Sequence, residues 1–265
     1  MAVRGKTILV TGGAGFIGSH LVETLLEQGN EVRVLDNLST GKKDNVQNLG
    51  SGKWNAGQDF ELIEGDIRDQ DAVRKAAAGV DAIFHEAALG SVPRSVEDPT
   101  TTQHVNADGT LNVMLAARHH GIGRLVYASS SSVYGDSEAL PKREGEEGLP
   151  LSPYALTKQI NESYARLFHD LYGLETIGLR YFNVYGPRQD PDSQYAAAIP
   201  RFISKLLSKQ PPTIYGSGLQ SRDFTYVADV VEANLCALDA PVSALGSASN
   251  IGRGDRVTIL ELIDT

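Results

Sequence analysis

The amino-acid sequence predicts an α/β fold in which helices cover both faces of a parallel sheet. Short apolar runs alternate with longer amphipathic segments from residue 7 to about residue 180, and this alternation is typical of consecutive βαβ units. A glycine-rich turn follows the first apolar run and opens an amphipathic segment. After Asn183 the pattern weakens and Pro and Gly residues divide the chain into short pieces, which predicts a second, smaller and irregular lobe.

The individual elements follow from the periodicity of apolar residues along the chain. Buried strands are predicted at residues 7–10, 32–35, 60–63, 82–84, 125–128 and 176–179. Helices are predicted at residues 16–28, 104–119 and Pro153–Tyr172. The polar segment 41–58, which contains Trp54, is predicted to be a surface excursion, and the charged segment 138–148 to be a loop.

Composition and charge limit the classes of partner. The chain has 265 residues, a net charge of −9 and a single cysteine, Cys236. The negative charge disfavours binding to nucleic acid or to anionic membranes, so neither is expected as a partner. No apolar run approaches the ~18 residues needed to span a bilayer, and a single cysteine permits no intramolecular disulfide. We therefore expect a soluble cytoplasmic protein with Cys236 in its core.

The glycine-rich turn satisfies G-x-G-x-x-G as Gly13, Gly15 and Gly18, and G-x-x-G-x-x-G as Gly12, Gly15 and Gly18. Glycines let backbone N–H groups approach a pyrophosphate, and the N-terminus of the following helix favours its negative charge. Because the run lies between a predicted strand and a predicted helix, it indicates a dinucleotide site. The fold class is therefore predicted to be a doubly wound parallel sheet of the Rossmann type.

Asp36 lies at the end of the second predicted strand. A carboxylate there accepts hydrogen bonds from a ribose diol and repels a 2′-phosphate, which favours NAD over NADP. Arg33 precedes Asp36 on the same strand, and we interpret Lys42 and Lys43 as solvated loop charges rather than as a phosphate site. Asp66, after the third strand, could either reach the adenine or cap the next helix.

Tyr154 and Lys158 are four residues apart on a predicted helix and therefore share one face. An unperturbed tyrosine, with a pKa of about 10, is a poor base at neutral pH. A nearby ammonium and a positive nicotinamide ring would favour its phenolate. The serine run at 129–132 follows a predicted strand, at the edge where open parallel sheets bind ligands. These features predict a redox cofactor with a proton-transfer group beside it.

These motifs and others along the chain resemble the extended short-chain dehydrogenase/reductase family. They are TGGAGFIGSH, DNLSTG, HEAA, Asn106 before DGT, SSSSVYG, YALTK, RYFNVYGPRQ and SRDFTYV. Within the family the chain is most similar to the UDP-hexose 4-epimerases. Its segments GSVPRS at 90–95 and YAAAIP at 195–200 are similar to the subgroup that handles N-acetylated sugars.

The resemblance implies catalytic roles for Tyr154, Lys158 and Ser130. Tyr154 would take the proton of the sugar 4-hydroxyl while hydride leaves C4 for NAD. Lys158 would hold the nicotinamide ribose and tune Tyr154, and Ser130 matches the catalytic serine of the family. The 4-keto sugar would then rotate and receive the hydride on its other face, so NAD would stay tightly bound.

The resemblance also implies which residues hold the two ligands, and no metal is expected. Asn183 and Arg222 would hold the diphosphate of the sugar nucleotide. NAD would be bound by Gly12, Gly15, Phe16, Ile17, Gly18, Asp36, Asn37, Ser39, Thr40, Gly41, Asp66, Ile67, Ala87, Ala88, Asn106, Tyr154, Lys158 and Phe182. The UDP-sugar would be bound by Ser91, Ser130, Ser131, Ser132, Tyr154, Asn183, Ala197, Tyr215 and Arg222.

The residues after the predicted catalytic serine bear on the reaction. Related dehydratases carry an adjacent Asp-Glu pair there and related decarboxylases a Glu, whereas this chain has Ser131 and Ser132. Elimination needs an additional acid and base, so the missing carboxylate favours C4 epimerisation of UDP-glucose/UDP-galactose or of the N-acetylated pair. The alternatives are another sugar-nucleotide enzyme of the family (a dehydratase, decarboxylase or reductase) and a non-catalytic NAD-binding regulatory protein.

The expected domain division follows the change of pattern. We expect residues 1–180 to form the NAD-binding domain, with 223–246 packing back on it. Residues 181–222 and 247–265 would form a substrate lobe that ends short at the C-terminus, where Thr258 is predicted to cap a helix.

Two of the predicted helices carry apolar residues on more than one face. They are residues 104–119 and Pro153–Tyr172. The resemblance implies that these helices pair with the same helices of a second subunit. We therefore expect a homodimer with a four-helix interface.

Overall fold

The centre of the structure is a parallel sheet of seven strands. The computed structural model describes residues 3–47, 49, 59–191, 198–214 and 216–264, so Trp54, Ala197 and Tyr215 lie outside the described residues. The strands, in chain order, are β1 (Thr7–Thr11), β2 (Glu31–Asp36), β3 (Phe60–Glu64), β4 (Ala82–His85), β5 (Arg124–Ser130), β6 (Glu175–Tyr181), β7 (Asn183–Tyr185), β8 (Ser221–Arg222), β9 (Phe224–Tyr226), β10 (Ser247–Ile251) and β11 (Val257–Thr258). Across the central sheet the order is β3-β2-β1-β4-β5-β6-β10.

Helices connect the strands on both faces of the sheet. They are α1 (Phe16–Glu27), α2 (Asp44–Gln47), α3 (Gln70–Ala76), α4 (Val92–Glu97), α5 (Pro99–Gln103), α6 (Gly109–His120), α7 (Pro153–Tyr172), α8 (Ala198–Leu207), α9 (Val227–Leu238) and α10 (Ile259–Asp264). Shorter turns are a π-helical turn at His104–Asp108 and 3-10 turns at Ser131–Tyr134 and Val242–Ala244. Among the described residues, no helix combines the length and the apolarity that crossing a bilayer requires.

Capping residues set where the long helices begin and end. The Ser152 hydroxyl accepts a hydrogen bond from the Ala155 N–H at 3.1 Å, and a proline opens α7 at its first turn. Gly173 ends α7 with a left-handed conformation (φ 70°), and Gly121 ends α6 in the same way. The sequence segment predicted as one helix at 104–119 is a π-helical turn followed by α6.

Two apolar layers hold the helices to the sheet. Side chains alternate between the faces of a strand, so Val10 and Leu9 belong to different layers although they are neighbours in β1. Val10 packs with Leu25 of α1 and Leu235 of α9 on one face. Leu9 belongs to the layer that Phe168 of α7 closes on the other face. The layering confirms the predicted α/β fold class, with a strand order that matches the Rossmann type.

The seventh strand of the sheet departs from the expected domain division. β10 lies in the segment 247–265 that we assigned to the substrate lobe, yet it pairs in parallel with β6, from Ser247 opposite Ile177 to Ile251 opposite Tyr181. Its sequence is short and largely polar, so it lacks the apolar run from which the other strands are predicted. The preceding helix, α9, packs against α1, on the NAD-binding domain of that division.

Small pairings organise the remaining C-terminal part. β7 pairs in parallel with β9, and β8 pairs with β11 in antiparallel fashion. At the start of α10 the predicted cap is present, since the Thr258 hydroxyl accepts from the Glu261 N–H at 3.2 Å. The Glu261 carboxylate accepts from the Thr258 N–H at 2.8 Å, which completes a capping box.

Cys236 is exposed, so the prediction that it lies in the core is wrong. Its neighbours Leu235 and Ala237 are buried, and the prediction followed from the apolar character of the segment around Cys236. In the helix, however, the buried stripe of α9 runs through Val230, Val231 and Leu238. Cys236 falls on the opposite, solvent-facing side of the helical turn.

A largely buried ion pair connects β6 to α7. The Arg180 side chain is 6% exposed and pairs with Glu162 at 2.8 Å and with Glu147. Its guanidinium also donates to the Tyr134 hydroxyl at 3.0 Å. Removing the cation would leave the largely buried Glu162 carboxylate without its counter-charge. Breaking a buried ion pair in this way strongly lowers the free energy of unfolding.

We predict that Arg180→Met lowers the free energy of unfolding by about 3–5 kcal/mol. Arg74→Met, which breaks the exposed pair with Asp71, should cost less than about 1 kcal/mol. Guanidinium unfolding monitored by circular dichroism measures both values. The double change Arg180→Met/Glu162→Gln should recover part of the loss, and equal losses for Arg180→Met and Arg74→Met would contradict the assignment.

Candidate active site

The carboxyl ends of the central strands border one cleft. β1 and β4 are adjacent in the sheet although the chain continues outward from them in opposite directions, and such a switch point is where open α/β sheets bind ligands. The cleft has a volume of about 780 Å³ and is lined by residues that follow β1, β2, β4, β5 and β6. That volume is in the range of small-molecule and cofactor sites.

The structure brings most of the predicted site residues to this cleft. Those that line it are Gly12, Gly15, Phe16, Ile17, Gly18, Asp36, Asn37, Ser39, Thr40, Ile67, Ala87, Ala88, Ser130, Ser131, Tyr154, Lys158, Phe182, Asn183 and Arg222. Five predicted residues are described but do not line it, namely Gly41, Asp66, Ser91, Asn106 and Ser132. The predicted substrate residues Ala197 and Tyr215 lie outside the described residues.

The glycine-rich turn is shaped by two close approaches of backbone. Gly12 has φ +69°, and a Cβ there would lie 2.6 Å from the backbone N of Ala87, which follows β4. A Cβ on Gly18 would lie 2.2 Å from the carbonyl oxygen of Gly12. Side chains are therefore excluded at both positions. No side chain caps the start of α1 at Gly15, so this uncapped helix N-terminus is available to an anionic group, as a dinucleotide requires.

Asp36 connects the glycine-rich turn to the loop after β2. Its carboxylate accepts hydrogen bonds from the Ala14 N–H at 2.9 Å and from the Leu38 N–H at 2.8 Å. Burial raises the pKa of Asp36, and these two backbone hydrogen bonds oppose the rise. Asp36 is thus a nearly buried carboxyl group at the cleft wall, in the position predicted to hold a ribose diol.

The basic residues near Asp36 have other partners. Arg33 donates to the Glu61 carboxylate at 2.9 Å and to the backbone carbonyl of Ala76 at 2.6 Å, which leaves it directed away from the cleft. Lys42 pairs with Asp190 at 3.3 Å, so it is not a purely solvated charge as predicted.

Arg68 is a cleft residue that the sequence reasoning missed. It donates to both oxygens of Asp66, at 2.9 and 2.7 Å. The guanidinium holds the pKa of Asp66 well below its usual range. Asn37 also donates to Asp66, at 2.8 Å. Asp66 therefore braces two residues of the cleft wall rather than lining it.

Ser130 and Tyr154 meet at the end of β5. The Ser130 hydroxyl accepts a hydrogen bond from the Ser132 N–H at 3.1 Å. Burial raises the pKa of Tyr154, and hydrogen bonding by the nearby Ser130 hydroxyl to the charged phenol opposes the rise. The direction differs from our expectation of a lowered pKa, because the cost of charging the phenol at the cleft wall outweighs the effect of its neighbours.

The Lys158 ammonium is held at the end of β5. Its Nζ donates to the carbonyl of Ala128 at 2.7 Å and lies 5.8 Å from the centre of the Tyr154 ring. The side chain is almost completely buried. Burial lowers the pKa of Lys158 to about 8, against the carboxyl groups of Glu86 and Glu162, which raise it. The predicted phenol and ammonium therefore share one face of α7 and one wall of the cleft.

The two serines after Ser130 lie in different surroundings. Ser131 lines the cleft. The hydroxyl of Ser132 is buried and has no hydrogen-bond partner among the described residues. Ser129, which precedes Ser130, donates to the Glu162 carboxylate beneath the cleft.

Other predicted residues support the walls from behind. Asn106 accepts from the Leu89 N–H at 2.8 Å and donates to the Leu89 carbonyl at 3.2 Å, so it holds the loop after β4. Ser91 caps α4 by accepting from the Arg94 N–H at 3.2 Å. Gly41 passes so close to the glycine-rich turn that a Cβ would lie 2.9 Å from Ala14.

His85 is a structural residue. It is 3% exposed and lies between two threonines. Its Nδ1 is 2.6 Å from the hydroxyl of Thr11, and its Nε2 is 2.9 Å from the hydroxyl of Thr110. Burial lowers the pKa of His85 to about 3, so it stays neutral and joins β1, β4 and α6.

The far end of the cleft is formed by the C-terminal part. Asn183 of β7 donates to the Asp223 carbonyl at 3.0 Å. Arg222 of β8 is exposed and donates to its neighbour Ser221. Both line the cleft together with Phe182, so one amide and one guanidinium border the part of the cleft beyond Tyr154 and Lys158.

Two further cleft residues were not assigned from the sequence. Glu86 and Tyr181 line the wall between the glycine-rich turn and β5, and the Tyr181 hydroxyl donates to the Glu86 carboxyl at 2.8 Å. Glu86 stands in the quoted HEAA segment, directly after a buried strand. Its position at the ligand-binding edge of a parallel sheet was the signal that could have identified it.

Comparison with known proteins agrees with this geometry. The model of the NAD-dependent epimerase/dehydratase family matches residues 8–252. A UDP-glucose 4-epimerase from Mycolicibacterium smegmatis is 40% identical over 96% of this chain and 79% of its own length. The solved UDP-N-acetylglucosamine 4-epimerase from Methanobrevibacter ruminantium M1, in complex with UDP-N-acetylmuramic acid, is 41% identical. Its TM-score is 0.91, over 99% of this chain and 81% of the other.

A third relative shows the cofactor. The structure of UDP-glucose 4-epimerase from Thermus thermophilus in complex with NAD is 40% identical and has a TM-score of 0.86. The match covers 97% of this chain and 81% of that chain. This NAD-bound enzyme belongs to the same family as this chain. In this chain the glycine-rich turn excludes side chains at two positions, and the N-terminus of the first helix is uncapped.

Enzymes with other reactions are also similar. A UDP-N-acetyl-alpha-D-glucosaminuronate decarboxylase from Bacillus cytotoxicus is 37% identical over 97% of this chain and 78% of its own length. A dTDP-glucose 4,6-dehydratase from Streptomyces venezuelae is 34% identical, with a TM-score of 0.88 over 97% of this chain and 79% of that chain. The shared fold thus supports several reactions on nucleotide sugars. This chain belongs to the NAD-dependent epimerase/dehydratase family, within the extended short-chain dehydrogenases/reductases, and its cofactor is NAD.

Proposed function

We propose that this chain catalyses epimerisation at C4 of a UDP-hexose through a transient 4-keto sugar. The substrate is either the UDP-glucose/UDP-galactose pair or the N-acetylated pair. The observation that carries the proposal is the Tyr154 phenol at the cleft wall, with the Ser130 hydroxyl and the Lys158 ammonium beside it at the end of β5. These groups are sufficient to transfer one proton to and from a sugar hydroxyl. A reversible oxidation at C4 requires no other proton transfer from the protein.

The proton step follows from this arrangement. Tyr154, as the phenolate, takes the proton of the sugar 4-hydroxyl, while Ser130 hydrogen-bonds to the same sugar oxygen. Lys158 supplies the positive charge that favours the phenolate against the desolvation that raises its pKa. NAD, when bound, supplies the acceptor and then the donor of the hydride at C4. The phenol afterwards returns its proton to the sugar oxygen, so the protein ends each cycle as it began.

The residues that follow Ser130 favour epimerisation over elimination. The positions after Ser130 are Ser131 and Ser132, so no acid or base stands there for the loss of water. The Glu162 carboxylate is engaged by Ser129 and by Arg180. The relatives named as 4-epimerases support the same choice.

The C-terminal part of the cleft is suited to a diphosphate. Arg222 is exposed at the cleft and can form charge-assisted hydrogen bonds to phosphate oxygens. The Asn183 amide lies on the neighbouring pair of strands. Holding the diphosphate rather than the sugar leaves the 4-keto ring free to present its second face. Ala197 and Tyr215 stay predictions for the uridine, and Ser91 for the sugar.

We also propose that the chain forms a homodimer through α6 and α7. On α7 an apolar stripe faces solvent, with exposed fractions of 45% at Leu156, 38% at Tyr164, 50% at Leu167 and 66% at Leu171. The spacing of these residues places them along one side of the helix. A contiguous exposed apolar face of this kind marks an interface. Packing two copies through it gives the four-helix arrangement that the family resemblance implies.

The purified protein is predicted to convert UDP-glucose to UDP-galactose, or UDP-N-acetylglucosamine to its C4 epimer, without consuming added NAD. Tyr154→Phe should lower kcat by a factor of about 10²–10⁴, because the phenol is the proton acceptor, and should keep NAD bound. Tyr172→Phe, at the C-terminal end of the same helix and outside the apolar stripe, alters a residue that is 47% exposed; it is the matched control and should keep full activity. Product identity is read by nuclear magnetic resonance. A stable keto-deoxy sugar with no C4 epimer would sink the proposal.

Asp36→Asn should reduce the preference for NAD over NADP. Loss of the charged acceptor for the ribose diol costs about 1.5–3 kcal/mol, which corresponds to roughly 10- to 100-fold in affinity. Repulsion of a 2′-phosphate disappears at the same time. Calorimetric titration of nucleotide-free protein with each dinucleotide measures the ratio. Asp229→Asn, an exposed carboxylate on α9, is the control, and an unchanged ratio in Asp36→Asn would refute the role of Asp36.

The double change Leu167→Glu/Leu171→Glu should convert the dimer to a monomer. In a dimer, the two introduced carboxylates of one copy would face the same two carboxylates of the other copy. Burying unpaired carboxylates in the interface costs free energy. Val242→Glu alters a residue that is 77% exposed outside α6 and α7, and it should leave the dimer intact. Analytical ultracentrifugation at micromolar concentration gives the masses. A monomeric unaltered protein, or a dimeric double variant, contradicts the interface.

A further inference from the structure

A carboxyl group stands in the cleft wall beside the catalytic lysine. Glu86 directly follows β4, and its N–H donates to the Thr11 carbonyl at 3.0 Å, so the strand continues alongside β1 at this residue. In the parallel register of β4 and β5, His85 lies opposite Tyr127. The next residues along the two strands are Glu86 and Ala128, and Ala128 holds the Lys158 ammonium. The carboxyl and the ammonium therefore come from adjacent positions at one sheet edge.

A buried chain of hydrogen bonds fixes Glu86 as an acceptor. The Asn234 amide, which is fully buried on α9, donates to the Val230 carbonyl at 2.9 Å and to the Tyr181 hydroxyl at 2.8 Å. Because the phenol oxygen receives that bond, its single proton is left for Glu86, which accepts it at 2.8 Å. The chain holds Glu86 in an orientation that favours its charged form.

The charged and titratable groups around Glu86 come from few elements. α7 presents Lys158, with Tyr154 and Glu162 on the same helix, and β6 presents Tyr181. His85 on β4 is neutral, because burial lowers its pKa to about 3. Thr11 of β1 and Asn234 of α9 carry no charge. Lys158 is therefore the cation that faces Glu86.

Glu86 and Lys158 shift each other's pKa in opposite directions. Burial raises the pKa of Glu86 to about 7, against the Tyr181 hydrogen bond and the charge of Lys158. Burial lowers the pKa of Lys158 to about 8, and the carboxylate of Glu86 is the first of the two groups that oppose this fall. An ammonium as buried as Lys158 needs such a counter-charge to stay protonated near neutral pH.

We propose that Glu86 is a positioning residue of the reaction, whose carboxylate keeps the Lys158 ammonium charged beside Tyr154. The inference rests on the proposed function for its use of Tyr154 and Lys158, and it adds a group from β4 to the pair on α7. Glu86 acts through Lys158, not on the sugar. The chain of Asn234 and Tyr181 is what holds the carboxylate in place.

The pH dependence of the effect has a definite sign. Below about pH 6 the unaltered protein has a protonated Glu86, since its pKa is about 7, so Glu86→Gln should behave like it. Above pH 7 the unaltered protein carries the carboxylate and the variant does not. Lys158 in Glu86→Gln should therefore lose its proton about one pH unit lower, and the alkaline limb of the kcat profile should move by the same amount. A merely structural role would lower activity equally at every pH.

The test follows Lys158 directly, in full-length protein whose lysines carry a carbon-13 label at Cε, with and without NAD. The Lys158 resonance is assigned by its loss in Lys158→Met, and its titration midpoint is measured by nuclear magnetic resonance. Glu86→Gln should lower the midpoint by about one unit. Tyr181→Phe, which keeps Glu86 but removes its hydrogen bond, should lower it by less. Glu232→Gln, an exposed carboxylate on α9, should leave it unchanged.

An unchanged Lys158 midpoint in both Glu86→Gln and Tyr181→Phe overturns the role of Glu86. If Glu86→Gln does not fold, as judged by its thermal unfolding, Tyr181→Phe alone decides in the same way. The lysine titration needs no sugar nucleotide. A shifted midpoint in a protein that epimerises no sugar would thus support the inference and count against the proposed function alone.

Discussion

The parallel register of the central sheet is the constraint on which the site depends. It places Thr11 opposite His85, His85 opposite Tyr127, and Ser130 opposite Tyr181, so that four strands end at a common edge. After its last residue each strand contributes a group to the same cleft: the glycine-rich turn after β1, a carboxyl after β4, a hydroxyl at the end of β5 and a phenol at the end of β6. A shift of one residue in any pairing would turn these groups to the other face of the sheet.

Burial at that edge explains why the chemistry needs several groups rather than one. A phenol or an ammonium taken out of water prefers its neutral form, and the directions of the pKa shifts of Tyr154 and Lys158 both follow this rule. A proton acceptor at neutral pH must therefore be supported by charge. In the proposed mechanism Lys158 supplies this charge to Tyr154, and we propose that Glu86 supplies the counter-charge to Lys158 in turn. The pKa values of Glu86 and Lys158, about 7 and about 8, therefore lie close to neutral pH. A change in the charge of one of these groups shifts the pKa of the other.

The features that the sequence predicts are those with a local cause. The glycine-rich turn, the position of Asp36 after β2, and the shared face of Tyr154 and Lys158 each depend on spacing within one or two elements, and the structure shows them. The pairing of β10 with β6 joins residues far apart in the chain, with no apolar run to reveal it. The exposure of Cys236 and the raised pKa of Tyr154 depend on which side of an element faces water. Glu86 was missed because the groups that act on it come from α7 and β6, and only its place directly after a buried strand indicated that it borders the cleft.

In the proposed reaction the cleft removes and returns hydrogen at one carbon of the sugar. The most direct measurement follows a UDP-hexose that carries deuterium at C4 through complete turnover, with nuclear magnetic resonance and mass spectrometry of the product. Epimerisation by the proposed route predicts inverted configuration at C4 with the deuterium still on C4. Deuterium found at C6 with loss of water would assign the chain to the dehydratases of its family, and deuterium released to solvent would contradict the route altogether.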